Sequence, residues 1–285
     1  MNHHNLSPTG AIVFWSVGPT IRESLYNRLS QLGLADYMPA ERTDAAALKS
    51  TLLGYCKDKK SRKADKVVQS HRRPKNNGFE VVDVERKEEV NDYDHAFSAK
   101  VEDGRVSITR GVADWRVLQD EFAKQKAMIT GAGVGQMLVK LLATLEGVTL
   151  KPGTYWIPEE ALATWKDVAA AVEGSAVEQK GSEVYYVKTV LDEAGCRAVR
   201  DAIIREITQE AATLGTEIAG GNLGDEALGR RKSLAASLHD RVRRYEGFLG
   251  EALDVLHQIV TVAEQAAASA VAVQESETAF AGVFG

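Results

Sequence analysis

The feature that most constrains this chain is a seven-residue repeat near its C-terminal end. Val242, Tyr245, Leu249, Ala252, Leu256, Ile259, Ala263, Ala266, Ala270 and Val273 recur at alternating spacings of three and four. On an α-helix that alternation draws one apolar stripe along a single face, the seam of a coiled coil or of a helical hairpin. Burying one Leu contributes about 1.5–3 kcal/mol, so a stripe of this length demands a partner helix. Val242, Tyr245, Leu249, Leu256 and Ile259 are therefore the expected helical interface.

The stripe lies in a region of uniform texture. From Asp192 onward there is no proline, and Ala, Glu, Leu and Arg dominate. A first helix is expected from Asp192 to about Ala219, with Val199, Ile203, Ile207, Leu214 and Ile218 on one face. Gly220-Gly221-Asn222 ends it. A second is expected from Asp225 to about Thr278. At 1.5 Å per residue the first spans roughly 40 Å and the second roughly 80 Å. Unless Gly247 or Gly250 breaks the longer helix, its C-terminal half needs a further partner: a second copy, the N-terminal region or another protein.

Ahead of this region the pattern is mixed. Ala11–Val17 is a short apolar run of β-formers, ended by Gly18-Pro19. Ile21, Leu25, Leu29 and Leu32 follow at helical spacing, and Thr43-Asp44 can cap a second helix carrying Leu48, Leu52 and Leu53. Phe79–Arg86, His95–Glu102 and Arg105–Arg110 read as strands of an antiparallel meander. Asp103-Gly104 supplies the residue types that a tight hairpin turn requires. Helices are expected at Asp114–Ile129 and Thr130–Glu146. Further strands are expected at Thr154–Ile157 and Glu183–Lys188, with a helix opened by Pro158 between them. The fold class is thus α+β: a small antiparallel sheet with flanking helices over residues 1–190, then a helical arm over 191–285.

Between Lys57 and Lys75 nine Lys/Arg stand against two Asp, a local charge of +7 in a chain of net charge −5. Such a run is ordinarily a solvated loop or helix end. Its functional alternative is contact with nucleic-acid phosphates through Lys59, Lys60, Arg62, Lys63, Arg72 and Arg73. No aromatic residue lies within the run, so stacking on single-stranded bases is not indicated.

No motif carries catalysis, a cofactor or a metal. Ile129–Leu138 has the glycines of a phosphate-binding loop. However, Thr130 occupies the place of its first glycine, Gln136 that of its lysine and Met137 that of its hydroxyl. Asp83, Glu85 and Lys87 have the spacing of a metal-dependent nuclease, yet only Asp58 and Asp65 could supply the upstream acid. His239 and His257 stand on the long helix with no ligand at metal spacing. The two cysteines, Cys56 and Cys196, suit a reducing, cytoplasmic location. The N-terminus has no signal-peptide pattern, and no apolar run approaches the ~20 residues of a membrane span.

Two stretches carry a resemblance: Phe14-Trp-Ser-Val-Gly18 followed by Met38–Leu48, and Gly147-Val-Thr-Leu-Lys-Pro-Gly-Thr-Tyr-Trp-Ile-Pro158. Together they resemble an uncharacterised family of bacterial and phage or plasmid proteins, over most of the first 190 residues. The resemblance implies a mobile-element context and assigns no active site. The expected function is a non-enzymatic scaffold or adaptor that joins itself or another protein through its C-terminal helices. Nucleic-acid binding through 57–75 is the alternative, and a metal-dependent nuclease comes third.

Overall fold

The computed structural model of the chain describes residues 9–58, 65–70, 78–86, 91–177, 181–220, 224–249 and 253–283. The elements run β1 (Thr9–Val17), β2 (Thr20–Ile21), α1 (Arg22–Gln31), α2 (Asp44–Asp58), β3 (Asp65–Ser70), β4 (Gly78–Arg86), β5 (Asn91–Glu102) and β6 (Arg105–Gly111). They continue α3 (Trp115–Ala127), β7 (Met128–Ile129), α4 (Gly131–Thr144), β8 (Val148–Lys151), β9 (Thr154–Pro158), α5 (Leu162–Glu173) and β10 (Ser182–Val190). Three helices close the chain: α6 (Glu193–Ala219), α7 (Asp225–Leu249) and α8 (Asp254–Val283). The architecture is α+β with small antiparallel sheets and C-terminal helices, as the sequence pattern requires.

By contacts the chain divides into two compact units. One comprises the described residues of Met1–Trp15, Val139–Asp167 and Val184–Gly285; the other comprises those of Ser16–Leu138 and Val168–Glu183.

In the second unit β3-β4-β5-β6 form a meander in that order, antiparallel throughout. The β5–β6 turn places Asp103 at φ 49° and Gly104 at φ 72°. Two successive positive φ values match the twist of the flanking strands. Helices α2 and α3 cover one face, burying Leu48, Leu52, Leu118 and Phe122 against Phe79, Val81, Phe97 and Ala99. Thr43 accepts the N–H of Ala46 at 3.2 Å, and Asp114 accepts those of Arg116 and Val117 at 3.0 and 3.3 Å. Both residues thereby serve as helix caps.

Strand β3 corrects the loop-or-helix-end expectation for the basic run. Residues 65–70 pair with β4 from Asp65↔Val84 to Ser70↔Phe79, because Val67 and Val68 supply β-forming positions inside the charged stretch.

In the first unit β10-β1-β9-β8 form a sheet in that order. Strands β1 and β9 are antiparallel, with Gly10 opposite Pro158 and Val13 opposite Tyr155. Val148 on β8 and Trp156 on β9 join the core that α6, α7 and α8 build.

The single 80 Å helix expected from Asp225 onward is instead two helices packed side by side. His239 meets Glu264 at 3.1 Å and His257 meets Glu246 at 3.1 Å; higher numbers on one helix pair with lower numbers on the other, so α7 and α8 are antiparallel. Arg241–Glu210 and Arg231–Glu217, both 2.6 Å, show the same for α6 and α7. The result is an up-down-up bundle in which α6, α7 and α8 cover one another. Val242, Tyr245 and Leu256 are fully buried, with Leu249 and Ile259 partly buried against them. On α7 the buried line extends upstream through Leu238, Ala235 and Leu228. Leu253, just ahead of α8, and Leu256, Val260, Ala263 and Ala267 on it form the buried line of that helix. Ala266 and Ala270, expected in the seam, are only partly buried. Among the described residues no helix is long and apolar enough to cross a membrane.

Candidate functional site

A cavity of about 410 Å³ lies along α6, bounded by α7, by the last turns of α4 and by strands β8 and β9. That volume falls in the range of small-ligand pockets. Its polar groups include Tyr155, Glu206, Glu210, Glu217 and Arg241, and its apolar groups include Leu142 and Leu234. The α6 residues share a face because 206, 210, 213 and 217 follow the three-and-four spacing of a helix. Asp192 fixes the start of that helix by accepting the Gly195 N–H at 2.7 Å.

The charges are arranged around Arg241. Its Nη1 donates to Glu210 Oε2 at 2.6 Å, and its Nη2 lies 3.5 Å from the Tyr245 hydroxyl. Its guanidinium carbon sits 5.9 Å from the Tyr245 ring centroid. Burial works against the Arg241 charge, yet Tyr245 and Glu210 outweigh it and hold the guanidinium above its ordinary value. Burial pushes the Tyr245 phenol up, against Arg241, which draws it down. Burial also raises Tyr155, opposed by a backbone hydrogen bond at Gly153 and reinforced by the charge of Glu206. Two groups displaced from their ordinary values, Arg241 and Tyr155, thus line one cavity, with Tyr245 behind Arg241; such displacement is a recurrent property of functional sites.

Glu146 stands beside this group. It has φ 55°, a left-handed conformation rare for a residue with a Cβ. Its Oε1 accepts from Arg244 Nη2 at 2.7 Å. Glu146 Oε2 and Arg241 Nε are buried without a hydrogen-bond partner. Unsatisfied buried atoms are uncommon and mark places where a structure stores strain or receives something. Glu206 Oε1 accepts the Thr149 N–H at 2.8 Å, tying α6 to β8.

The residues singled out from sequence fall elsewhere. Val242 and Tyr245 are core residues of α7, and Leu256 is a core residue of α8. Lys59, Lys60, Arg62, Lys63, Arg72 and Arg73 lie outside the described residues, as does Lys87; Glu85 is in β4. The glycine-rich stretch opens α4, where Thr130 accepts the Gly133 N–H at 3.1 Å as the helix cap. A Cβ on Gly131 would stand 2.3 Å from the carbonyl oxygen of Val17, so that glycine answers to packing.

His239 and His257, isolated in sequence, are brought together by the α7–α8 hairpin, their rings stacked at 5.9 Å. Among the described residues no group of three His, Cys, Asp or Glu is placed to hold a metal ion. An irregularity in the β4–β5 pairing sets Val81 opposite Phe97 but Val82 opposite His95. It turns His95 towards Ser98 Oγ at 2.9 Å and Glu80 Oε1 at 3.6 Å. Both contacts fall on Nε2, whereas a nucleophile relay divides its partners between the two ring nitrogens. Ser98 is itself buried.

The cavity residues gave no local signal in sequence. Tyr155, Glu206 and Arg241 are separated by tens of residues, and each is ordinary in its own segment.

The chain belongs to a family of unknown function, DUF6744, whose model matches residues 9–277. No curated protein and no solved structure matches it.

Proposed function

We propose that this member of the DUF6744 family is a non-enzymatic scaffold or adaptor of phage or mobile-element type, acting in the cytoplasm and docking a partner protein through its C-terminal helices. The observation that carries the reading is the open cleft along α6. Val139 on α4 and Leu234 on α7 line it while remaining 43% and 45% exposed. Apolar side chains at the mouth of a cleft with polar groups on its floor are the usual make-up of a recognition surface. The heptad seam is not that surface, since its central residues are spent inside the bundle. The mobile-element context rests on the resemblance carried by Phe14–Gly18 with Met38–Leu48 and by Gly147–Pro158.

The test is site-specific photo-crosslinking in the native host. A photoreactive residue in place of Leu234 should give a discrete protein adduct, and one in place of the exposed Lys232 should not. Equal labelling from both positions, or none from either, would remove the docking reading. An adduct of twice the chain's own mass would identify a second copy as the partner.

A further inference from the structure

We infer that the α6 cleft takes an alkylammonium group, carried by a lysine side chain of the docked partner, with Glu206 as its counter-charge. The inference rests on the docking reading above and names its chemistry.

The lining holds three carboxylates, Glu206, Glu210 and Glu217, against one guanidinium, Arg241. Two of the three are already matched. Glu210 is paired with Arg241 at 2.6 Å, and Glu217 with Arg231 Nε at 2.6 Å. Glu206 has no ion pair among the described residues. Its neighbour in sequence, Arg205, donates to the carbonyl oxygen of the same Thr149 at 2.6 Å and forms no ion pair with Glu206. Glu206 Oε1 receives one N–H, from Thr149. An ionised carboxylate can accept about four hydrogen bonds, so most of its capacity is open. A surplus of negative charge in a partly enclosed space repels an anion and attracts a cation.

The remaining walls set the rest of the ligand. Val139, Leu142, Ala143, Leu214 and Leu234 are aliphatic. A ligand that places a cation at Glu206 must lay a short hydrocarbon stem along them. That combination of apolar stem and ammonium head is the way a lysine side chain partitions between apolar and polar surroundings. Gln209 and Thr213 lie on the same helix face and add neutral polar contacts without changing the charge.

The experiment uses the full chain, 15N-labelled, titrated by NMR with n-pentylammonium chloride, 1-pentanol, pentanoate and Nα-acetyl-lysine N-methylamide. Pentylammonium and the lysine derivative should shift amides along α6, β8 and β9. Pentanol should bind about ten-fold more weakly, in keeping with the loss of a charged hydrogen bond, and pentanoate should not bind. Glu206→Gln should lower pentylammonium affinity about ten-fold, while the exposed control Glu226→Gln should leave it unchanged. Thr213→Trp, which fills the cleft without touching Glu206, should abolish binding and serves if the first variant misfolds.

Equal binding of pentanol and pentylammonium, or unchanged affinity in Glu206→Gln, would overturn the inference. Pentylammonium binding with exclusion of the lysine derivative would overturn the lysine source. A Leu234 adduct without any alkylammonium binding would sink this inference and leave docking standing. Alkylammonium binding without an adduct would remove docking and the lysine source with it.

Discussion

Glu246, on α7, accepts the backbone N–H of Leu253 at 2.6 Å, immediately ahead of α8. The first N–H groups of a helix have no partner within it, and here a carboxylate from the preceding helix supplies one. The same oxygen meets His257 Nε2 at 3.1 Å. The two contacts fasten the corner of the hairpin.

Replacing Glu246 with Ala should therefore cost about 1 kcal/mol, the usual value of a lost cap, and Glu246→Gln should cost less. The Leu253 hydrogen bond, helped by His257, holds this carboxyl below its ordinary 4.5 against a smaller opposing effect of burial. A group whose pKa is lower in the folded state stabilises above the unfolded value and loses that contribution as pH falls through the folded value. The stability gap between wild type and Glu246→Ala should thus be full at neutral pH and shrink once pH drops below about 4.5. Denaturant melts of both proteins between pH 3 and 7 measure it; a gap that widens as pH falls below about 4.5 would refute it.

The bundle core makes a second prediction. Leu256→Ala should cost about 2–5 kcal/mol, and Ile259→Ala, only partly buried, should cost less. Because the seam is closed within one chain, these losses should not depend on protein concentration. A midpoint that rises with concentration would show the seam to be shared between copies.

Glu146 gives a third. Glu146→Ala loses the Arg244 ion pair and keeps the left-handed backbone. Glu146→Gly loses the same pair and relieves the backbone, worth about 1 kcal/mol. Glycine should therefore be the more stable variant by about that amount. Chemical denaturation of the two proteins tests the order.

Two helical glycines should respond oppositely to alanine. Gly54 in α2 has nothing within 4 Å of a built Cβ, whereas Gly131 would meet Val17 O at 2.3 Å. Gly54→Ala should stabilise by about 0.5–1 kcal/mol through helix propensity. Gly131→Ala should destabilise, since the contact is with backbone that must move. Thermal melts of the pair decide it.

Local chemistry makes much of this fold legible in the sequence. Asp103-Gly104 marked its hairpin, Asp114 and Thr43 their caps, and Val199, Ile203 and Ile207 the inner face of α6. Each is a case where neighbours in sequence determine the outcome. The errors share a different origin. Strand β3 went unread because two valines are outweighed by the lysines and arginines around them. Strand β8 was visible only as part of a resemblance, four residues being too few to show a period. The α7–α8 hairpin reads in sequence as one helix unless Gly247 or Gly250 breaks it, because Leu249, Ala252 and Leu256 continue the three-and-four spacing. Glu246 determines where α8 starts by reaching seven residues forward, and no local pattern encodes that. The cleft is invisible for the same reason: its charges come from α6 and α7 and its other walls from α4, β8 and β9, which meet only after folding.

The stacked rings of His239 and His257 give the α7–α8 hairpin an internal witness. Each imidazole meets a carboxylate, Glu264 or Glu246, and faces the other across the seam. If α8 lifted from α7, His239 would lose Glu264, His257 would lose Glu246, and each ring would lose the shielding of its neighbour in the same event. Two imidazole resonances moving together would then report opening of this corner of the molecule, with no label added and no residue changed.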